Sequence, residues 1–367
     1  MASASTSFQV LLTGATGYIG GSILTKLLAS PSPIPDLTTI SCLLRGVDRA
    51  EKLTSAYGDR VRPIIYKDID DIEATVAAAA QHDIVINTTL GFHPASAQAL
   101  LRGLSQRKAQ TGRDVWYIQT SGTSNVADRP FSKAWVEPAG REFDDAKDDI
   151  YGYEKDREVR EAPYPQRTTE LGVVDTGLEL GIKTLVIMSP LIFGKGTGLF
   201  NVKSIGIPGY ARSGLKHGRA VMIADGKTVW DHVHVEDLVD LYVIILSQIT
   251  EKGGEGVPTG KKGIIFSGNG RHEWREVVQG VAEVLYEEGK VTNPEPESMS
   301  LTGAAKVLTL IEGLDFASHE KSIERVYASN ARTVSSVGRS LGWKPTRGDD
   351  VWKKAIRSDT RAFLEEL

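Results

Sequence analysis

Phe8-Gln-Val-Leu-Leu-Thr13-Gly14-Ala-Thr16-Gly17-Tyr18-Ile19-Gly20 is an apolar run that feeds directly into three glycines spaced by three. A helical pattern, Ile19–Ala29, follows at once. In a strand–turn–helix of this form Gly14 permits the tight turn and Gly17 lets backbone N–H groups approach a pyrophosphate. Gly20 lets the helix pack closely on the strand. The helix N-terminus adds partial positive charge where the phosphates would lie. The loop therefore predicts a dinucleotide site built from Thr13, Gly14, Thr16, Gly17, Tyr18, Ile19 and Gly20.

Working outward from the loop, short apolar runs recur at Thr39–Leu44, Val61–Tyr66, Ile84–Asn87, Val115–Thr120 and Lys183–Met188. Helical patterns at Ile72–Gln81, Ala95–Thr111 and Arg167–Leu180 separate several of them. Strand–helix alternation predicts a parallel sheet covered on both faces. Continuously apolar Ile84-Val85-Ile86 and Leu185-Val186-Ile187 suit strands buried on both sides. The expected fold class is α/β, a doubly wound Rossmann-type sheet of six or seven strands with a smaller, mainly helical C-terminal lobe.

After Pro190 the texture changes. Residues 194–219 show no strong period, and the pattern returns at Ala220–Ile223, near Val235-Glu236-Asp237 and at Gly263–Ser267. Residues 268–330 read as mainly helical, and Asp349–Leu367 as a charged closing helix. The expected division is a dinucleotide-binding domain over 7–195 plus 220–267, a substrate lobe from 196–219 and 268–330, and a closing segment over 331–367.

Composition narrows the function classes. Forty-three Lys+Arg against 47 Asp+Glu leave a net charge of −4, so no general field draws nucleic acid or anionic lipid. The longest apolar candidates, Thr184–Phe193 and Leu238–Ile249, are too short or carry an acid, which argues against a membrane span. One cysteine, Cys42, excludes an internal disulfide framework and a cysteine zinc site. The opening Met-Ala-Ser-Ala-Ser-Thr-Ser lacks the basic and apolar regions of an export signal. These features predict a cytoplasmic protein with a small-molecule partner; nothing in the sequence decides whether it forms a homodimer.

The second strand bears on coenzyme choice. An acid at its carboxyl end would bond an adenosine ribose 2′-hydroxyl, whereas an arginine accommodates a 2′-phosphate. Ile40-Ser-Cys-Leu-Leu-Arg45 places Arg45 in that slot, while Asp36 stands at the wrong end. NADP(H) is expected over NAD(H).

The spacing Thr13-Gly-x-x-Gly-x-x-Gly20 resembles that of the extended and atypical short-chain dehydrogenases/reductases, of the nucleotide-sugar epimerase and NmrA-like kind. Further landmarks follow in that family's order. Asp68-Ile69 resembles the pair that holds the adenine. Asn87-Thr88-Thr89 stands where the fourth strand passes beneath the cofactor. Tyr117-Ile-Gln-Thr-Ser121-Gly-Thr123 resembles the segment with the catalytic hydroxyl. Ser189-Pro190-Leu191-Ile192-Phe-Gly194 looks like the loop beside the nicotinamide, and Trp230-Asp-His-Val-His234-Val-Glu-Asp237 like the late helix entry. The likeness spans roughly residues 8–285.

This resemblance implies a tyrosine proton donor with a lysine four residues on, and three readings stand. Tyr151-Gly-Tyr-Glu-Lys155 satisfies the letter of the pattern, but Pro163 and Pro165 separate it from the helix that leads to Ser189. Counting back from Pro190 by the family's usual spacing lands beside Tyr164, which has Arg167 three residues on and no lysine at 168. Arg167 would then sit one helical turn from the phenol. In the third reading the pair is lost, and Ser121 and Thr123 orient a substrate carbonyl.

Around the late helix entry, Lys227-Thr-Val-Trp230-Asp231 lacks the arginine that clamps a nucleotide-sugar diphosphate. The Trp230 indole suits an apolar or aromatic ligand better. His232 and His234 face one side of a strand without a third ligand, so they read as structural and no metal is expected. Asp144–Asp149 reads as a solvated loop, and the basic Lys195, Lys203, Arg212, Lys216 and Arg219 as solvated charge. The expected function is NADP(H)-dependent oxidoreduction of a small apolar or phenolic carbonyl or alcohol. The alternatives are an NADP(H)-sensing regulator without turnover and an isomerase or epimerase, a nucleotide sugar being disfavoured.

Overall fold

The computed structural model describes residues 8–309 and 319–367. The first half alternates strand and helix: β1 (Val10–Thr13), α1 (Tyr18–Leu27), β2 (Ile40–Leu44), α2 (Val47–Tyr57), β3 (Val61–Ile65), α3 (Ile72–Ala79), β4 (Ile84–Asn87), α4 (Pro94–Thr111) and β5 (Trp116–Gly122). Next come β6 (Phe143–Asp144), α5 (Ile150–Arg160), α6 (Pro165–Leu180), β7 (Lys183–Ser189) and β8 (Leu191–Phe193). The remainder holds α7 (Gly206–His217), β9 (Val221–Ile223), β10 (Val229–His234), α8 (Val235–Lys252), β11 (Ile264–Phe266), β12 (Arg271–Glu273) and α9 (Trp274–Glu287). The chain closes through β13 (Glu297–Met299), α10 (Leu301–Ala304), α11 (His319–Tyr327), β14 (Thr333–Val334), α12 (Ser336–Ser340) and α13 (Asp349–Leu364).

Seven parallel strands form one sheet in the order β3-β2-β1-β4-β5-β7-β11. The order reverses between β1 and β4, which opens a crevice at the carboxyl ends of the strands. Successive residues of β1 serve opposite faces, because side chains alternate along a strand. Leu12 joins a core with Ile23, Leu238 and Leu246, whereas Leu11 joins Val85, Leu101 and Val174 on the other side. A third core, with Phe193, Ile207, Trp230, Val277, Trp352 and Phe363, belongs to the layer over the crevice. There β10 pairs with β8 in parallel and with β12 antiparallel, and α13 packs on α7 and α9.

Some elements depart from the sequence reading. Helix α2 was not foreseen, because only Ala50 and Leu53 of its eleven residues are buried and so little apolar face was visible. The unpatterned 194–219 stretch contains α7, in which Pro208, Gly209 and Gly214 resemble breakers. Gly209 instead lets Tyr327 approach and Gly214 lets Leu285 approach, so packing overrides propensity. The acidic run is no solvated loop throughout. Asp144 lies in β6, and the buried Asp145 accepts from the backbone N–H groups of Phe266 (2.8 Å) and Val337 (2.9 Å). Residues 268–330 contain β12 and β13 beside their helices. Part of that helical expectation, 310–318, lies outside the described residues, as does the opening Met1–Ser7. Among the described residues no helix is long and apolar enough to cross a membrane.

Candidate functional site

The glycine loop has the geometry that its spacing implied. Gly14 sits at φ +74°, where a side chain is strained, and a Cβ there would lie 2.6 Å from Thr88 Oγ1. A Cβ on Gly20 would collide with the Gly14 carbonyl, so this glycine brings α1 against β1. Gly17 differs: its Cβ would meet only the Gly14 carbonyl, at 3.2 Å, and its other side faces open space. Gly17 is also the N-cap of α1, with no side-chain cap and no acid in the first turn. The free N–H groups and positive end of α1 thus suit a phosphate. These residues fit a dinucleotide, which Gly14, Ala15, Thr16, Gly17, Tyr18 and Ile19 would hold along its pyrophosphate.

Several predicted contacts serve the loop from behind. Thr13 Oγ1 donates to Asn87 Oδ1 (2.5 Å), and Asn87 Nδ2 donates to Tyr117 Oη and Gln119 Oε1. Thr89 N–H and Oγ1 also donate to Asn87 Oδ1, while Thr88 Oγ1 donates to the Thr13 carbonyl (2.7 Å). Thr13 and Asn87 are buried, so they brace β1, β4 and β5 with their side chains. Tyr18 likewise donates its hydroxyl to the Gly194 carbonyl, tying the loop to the segment after β8. Arg45 is exposed directly after the carboxyl end of β2, where the sequence reading expects it. Asp68 and Ile69 are partly buried beyond the end of β3, and Asp68 Oδ1 accepts from Asp70 N–H (2.9 Å).

The crevice continues into a cavity of about 440 Å³. Gly17, Tyr18, Ile19 and Thr88 line one end, and Ser189, Pro190, Leu191 and Ile192 form the turn between β7 and β8 beside it. Gly122, the last residue of β5, lines the wall there, and Thr123 and Ser124 just after it supply hydroxyls. Trp230, Trp274, Tyr327, Ile205 and Val326 supply apolar walls. Thr123 is 1% exposed, and its Oγ1 has no hydrogen-bond partner among the described residues. An orphaned buried hydroxyl is costly unless a ligand completes it. Trp230 faces Trp274 with ring centroids 5.5 Å apart, and both indoles border the cavity.

Tyr164 lies just behind this wall. It caps α6 in an extended conformation fixed by Pro163 and Pro165, and it is buried. Its hydroxyl lies 3.1 Å from Ser124 Oγ, and both hydroxyls reach Gln166 Oε1. Ser124 therefore stands between Tyr164 and the cavity. Arg167 does not serve the phenol: its guanidinium bonds Glu158, Glu161 and the Ala162 carbonyl. The guanidinium over the Tyr164 ring, 3.5 Å from its centroid, is that of Arg325 on α11. Thr168 occupies the position of the family's lysine and donates to Glu158. Tyr151 and Lys155 both bond Asp175 on α6, partly exposed, and neither lines the cavity. Ser124, Trp274, Arg325 and Tyr327 were missed in the sequence, where only Ser124, beside Thr123, carried a signal.

Ser121 does not line the cavity: its Oγ accepts from Asn125 Nδ2 (3.4 Å), which also donates to Glu170 (2.8 Å). Glu170 on α6 faces Glu154 on α5, both fully enclosed. Burial pushes Glu170 up to about 7 and Glu154 well above the usual carboxylate range. Burial thus favours the protonated, neutral form of each, and the charge of either raises the cost of ionising the other.

His232 stacks on Trp352 (centroids 4.2 Å apart) and bonds His272 Nδ1 to Nδ1 (3.1 Å). Burial holds His232 down to about 3. His234 accepts from Glu236 N–H and caps α8. Among the described residues no group of three or more His, Cys, Asp or Glu is arranged to hold a metal. In the basic segment, Lys203 Nζ donates to the Ala362 carbonyl (2.7 Å), so this lysine braces α13.

No protein-family model matches the chain. The oxidase UcsJ of Acremonium sp. is 29% identical over 351 residues, 92% of each chain. A dTDP-glucose 4,6-dehydratase of Streptomyces venezuelae, solved with NAD, superposes with a TM-score of 0.61 at 15% identity over 97% of each chain. The UDP-glucose 4-epimerase of Thermus thermophilus, also with NAD, gives 0.56 at 18% identity over 98% of this chain and all of that one. The fold is thus that of the extended short-chain dehydrogenases/reductases.

Proposed function

We propose that this chain, with its extended short-chain dehydrogenase/reductase fold, is an NADP(H)-dependent oxidoreductase acting on a small, largely apolar carbonyl or alcohol. The observation that carries the reading is the meeting of three parts at one cavity: the α1 N-terminus, the Thr123–Ser124 hydroxyls and the Trp230–Trp274 wall. The similarity to an oxidase along nearly the whole chain supports the reaction class. A bound nicotinamide supplies or accepts the hydride. Thr123 Oγ1 orients the substrate oxygen, Ser124 carries a proton to or from it, and Tyr164 exchanges that proton behind Ser124. Exposed Arg45 meets an adenosine 2′-phosphate and favours NADP(H).

A second reading has its own observation. Without a lysine at 168 nothing matches the group that activates the family's tyrosine, as in a protein that senses NADP(H) without turnover. Gly17→Val separates the cofactor question from the catalytic one. It puts a side chain where the pyrophosphate approaches, so NADPH binding by calorimetry should vanish from a protein with a normal unfolding transition. Unchanged affinity would refute the cofactor site. Wild-type protein that binds NADPH but passes no deuteride from labelled NADPH to any aryl or alkyl ketone supports the sensor.

A further inference from the structure

The bend between α5 and α6 gathers four guanidiniums into the interior. Arg129, Arg157, Arg167 and Arg325 are each no more than 7% exposed. Glu161 pairs with all four, and Glu158 pairs with Arg167. Four cations therefore share two carboxylates by direct contact. The other acids nearby are engaged elsewhere. Glu154 and Glu170 are pushed up by burial, and Glu324 accepts from the N–H groups of Phe131 and Ser132.

The cations are also incompletely bonded. Arg129 Nε, Arg157 Nη2 and Arg325 Nε are buried without a hydrogen-bond partner among the described residues. Leaving charged donors unmade in the interior is expensive, which points to a missing acceptor. A cavity of about 170 Å³ lies against two of these arginines, Arg129 and Arg325, and is also lined by Arg160, Glu161, Tyr164 and Lys321. Arg325 and Val326 border both this annex and the main cavity. The stacked Arg325–Tyr164 pair thus stands where the two meet. Burial, with Arg129 and Arg157 close by, lowers the Arg325 guanidinium below its ordinary value, and a bound anion would reverse that.

We propose that the annex is an anion subsite: it takes one anionic oxygen group, a carboxylate or an acidic enol, of a substrate whose apolar body lies between Trp230 and Trp274. The assignment rests on the reading of the main cavity as a substrate site. It makes Arg325 the residue that selects acidic over neutral substrates. It also ties recognition to chemistry, because the guanidinium that meets the anion packs on the tyrosine behind Ser124.

Calorimetry with 3-phenylpropanoate, 3-phenylpropanamide and inorganic phosphate tests this on the whole chain. The acid should bind wild-type protein at least tenfold more tightly than the amide, the range of a charge-assisted contact. Arg325→Gln should erase that advantage, and Arg325→Lys should restore part of it. Equal affinities for acid and amide in wild-type protein overturn the proposal without any variant, so a misfolded Arg325→Gln cannot shield it. Phosphate binding as tightly as the acid would also overturn it, since the annex would then hold a free anion and not a substrate group. A parallel NADPH titration fails or succeeds independently, which separates this subsite from the cofactor assignment.

Discussion

At the scale of single residues, chemistry turns on which hydroxyl reaches the cavity and which is one step behind. Thr123 lines the cavity and its buried hydroxyl has no partner among the described residues, whereas the Tyr164 hydroxyl lies behind Ser124 at 3.1 Å. General acid–base groups contribute roughly 10²–10⁴ in rate. Once a substrate is in hand, Tyr164→Phe is expected to lower kcat by that factor with NADPH affinity retained. Tyr151→Phe should stay within about twofold of wild type, because its hydroxyl serves Asp175 away from the cavity. A dead Tyr151 variant beside an active Tyr164 variant would reverse the assignment. Coenzyme choice is likewise a one-residue matter. Arg45→Asp replaces an attraction worth about 1.5–3 kcal/mol with a repulsion, so NADPH should bind one to three powers of ten more weakly. NADH affinity should hold or improve. Equal binding of both coenzymes by wild-type protein would leave Arg45 an ordinary surface arginine.

At the scale of elements, buried Glu154 of α5 and Glu170 of α6 face one another, and Asn125, just after β5, donates to Glu170 and to Ser121. The pair has a pH signature. The unfolded chain ionises Glu170 near its ordinary value of 4.5, whereas the folded protein keeps the proton until about pH 7. The folded state therefore binds more protons between those values, and stability falls as pH rises through the window. Below pH 4.5 the full contribution is present. Glu170→Gln keeps the shape without the titration, so its denaturation free energy should drop by on the order of 2 kcal/mol less than wild type between pH 4.5 and 7.5. Parallel curves for the two proteins would rule out a raised Glu170 titration. Buried His232 and His272, held low by burial, act in the opposite sense as pH falls below about 6.5. The difference between wild type and variant cancels their effect.

At the scale of the whole molecule, the main cavity is a seam between the sheet's carboxyl edge and the layer built on Phe193, Trp230 and Trp352. The sheet was legible from the sequence because its information is local. Apolar runs such as Ile84-Val85-Ile86 set the strands. The glycine loop declared its own turn: Gly14 needs its positive φ, and Gly20 must let α1 touch β1. Tyr164 was likewise placed at the head of α6 by spacing and by its flanking prolines. Other features were hidden by distance or disguise. Helix α7 uses glycines as packing surfaces, and Asp145 satisfies backbone groups of β11 and α12, far along the chain. Arg325 joins Tyr164 across 161 residues of sequence, and no local pattern marks a guanidinium that will stack on a distant ring. By itself, then, the sequence determined the sheet, the glycine turn and the place of Thr123 after β5, since each follows from neighbours within a few residues. Only the tertiary structure decided that Arg325 rather than Arg167 attends Tyr164, and that Tyr151 and Lys155 stand apart. It alone decided that four arginines converge on one carboxylate, because burial and ion pairing are set by whatever the folded chain brings together.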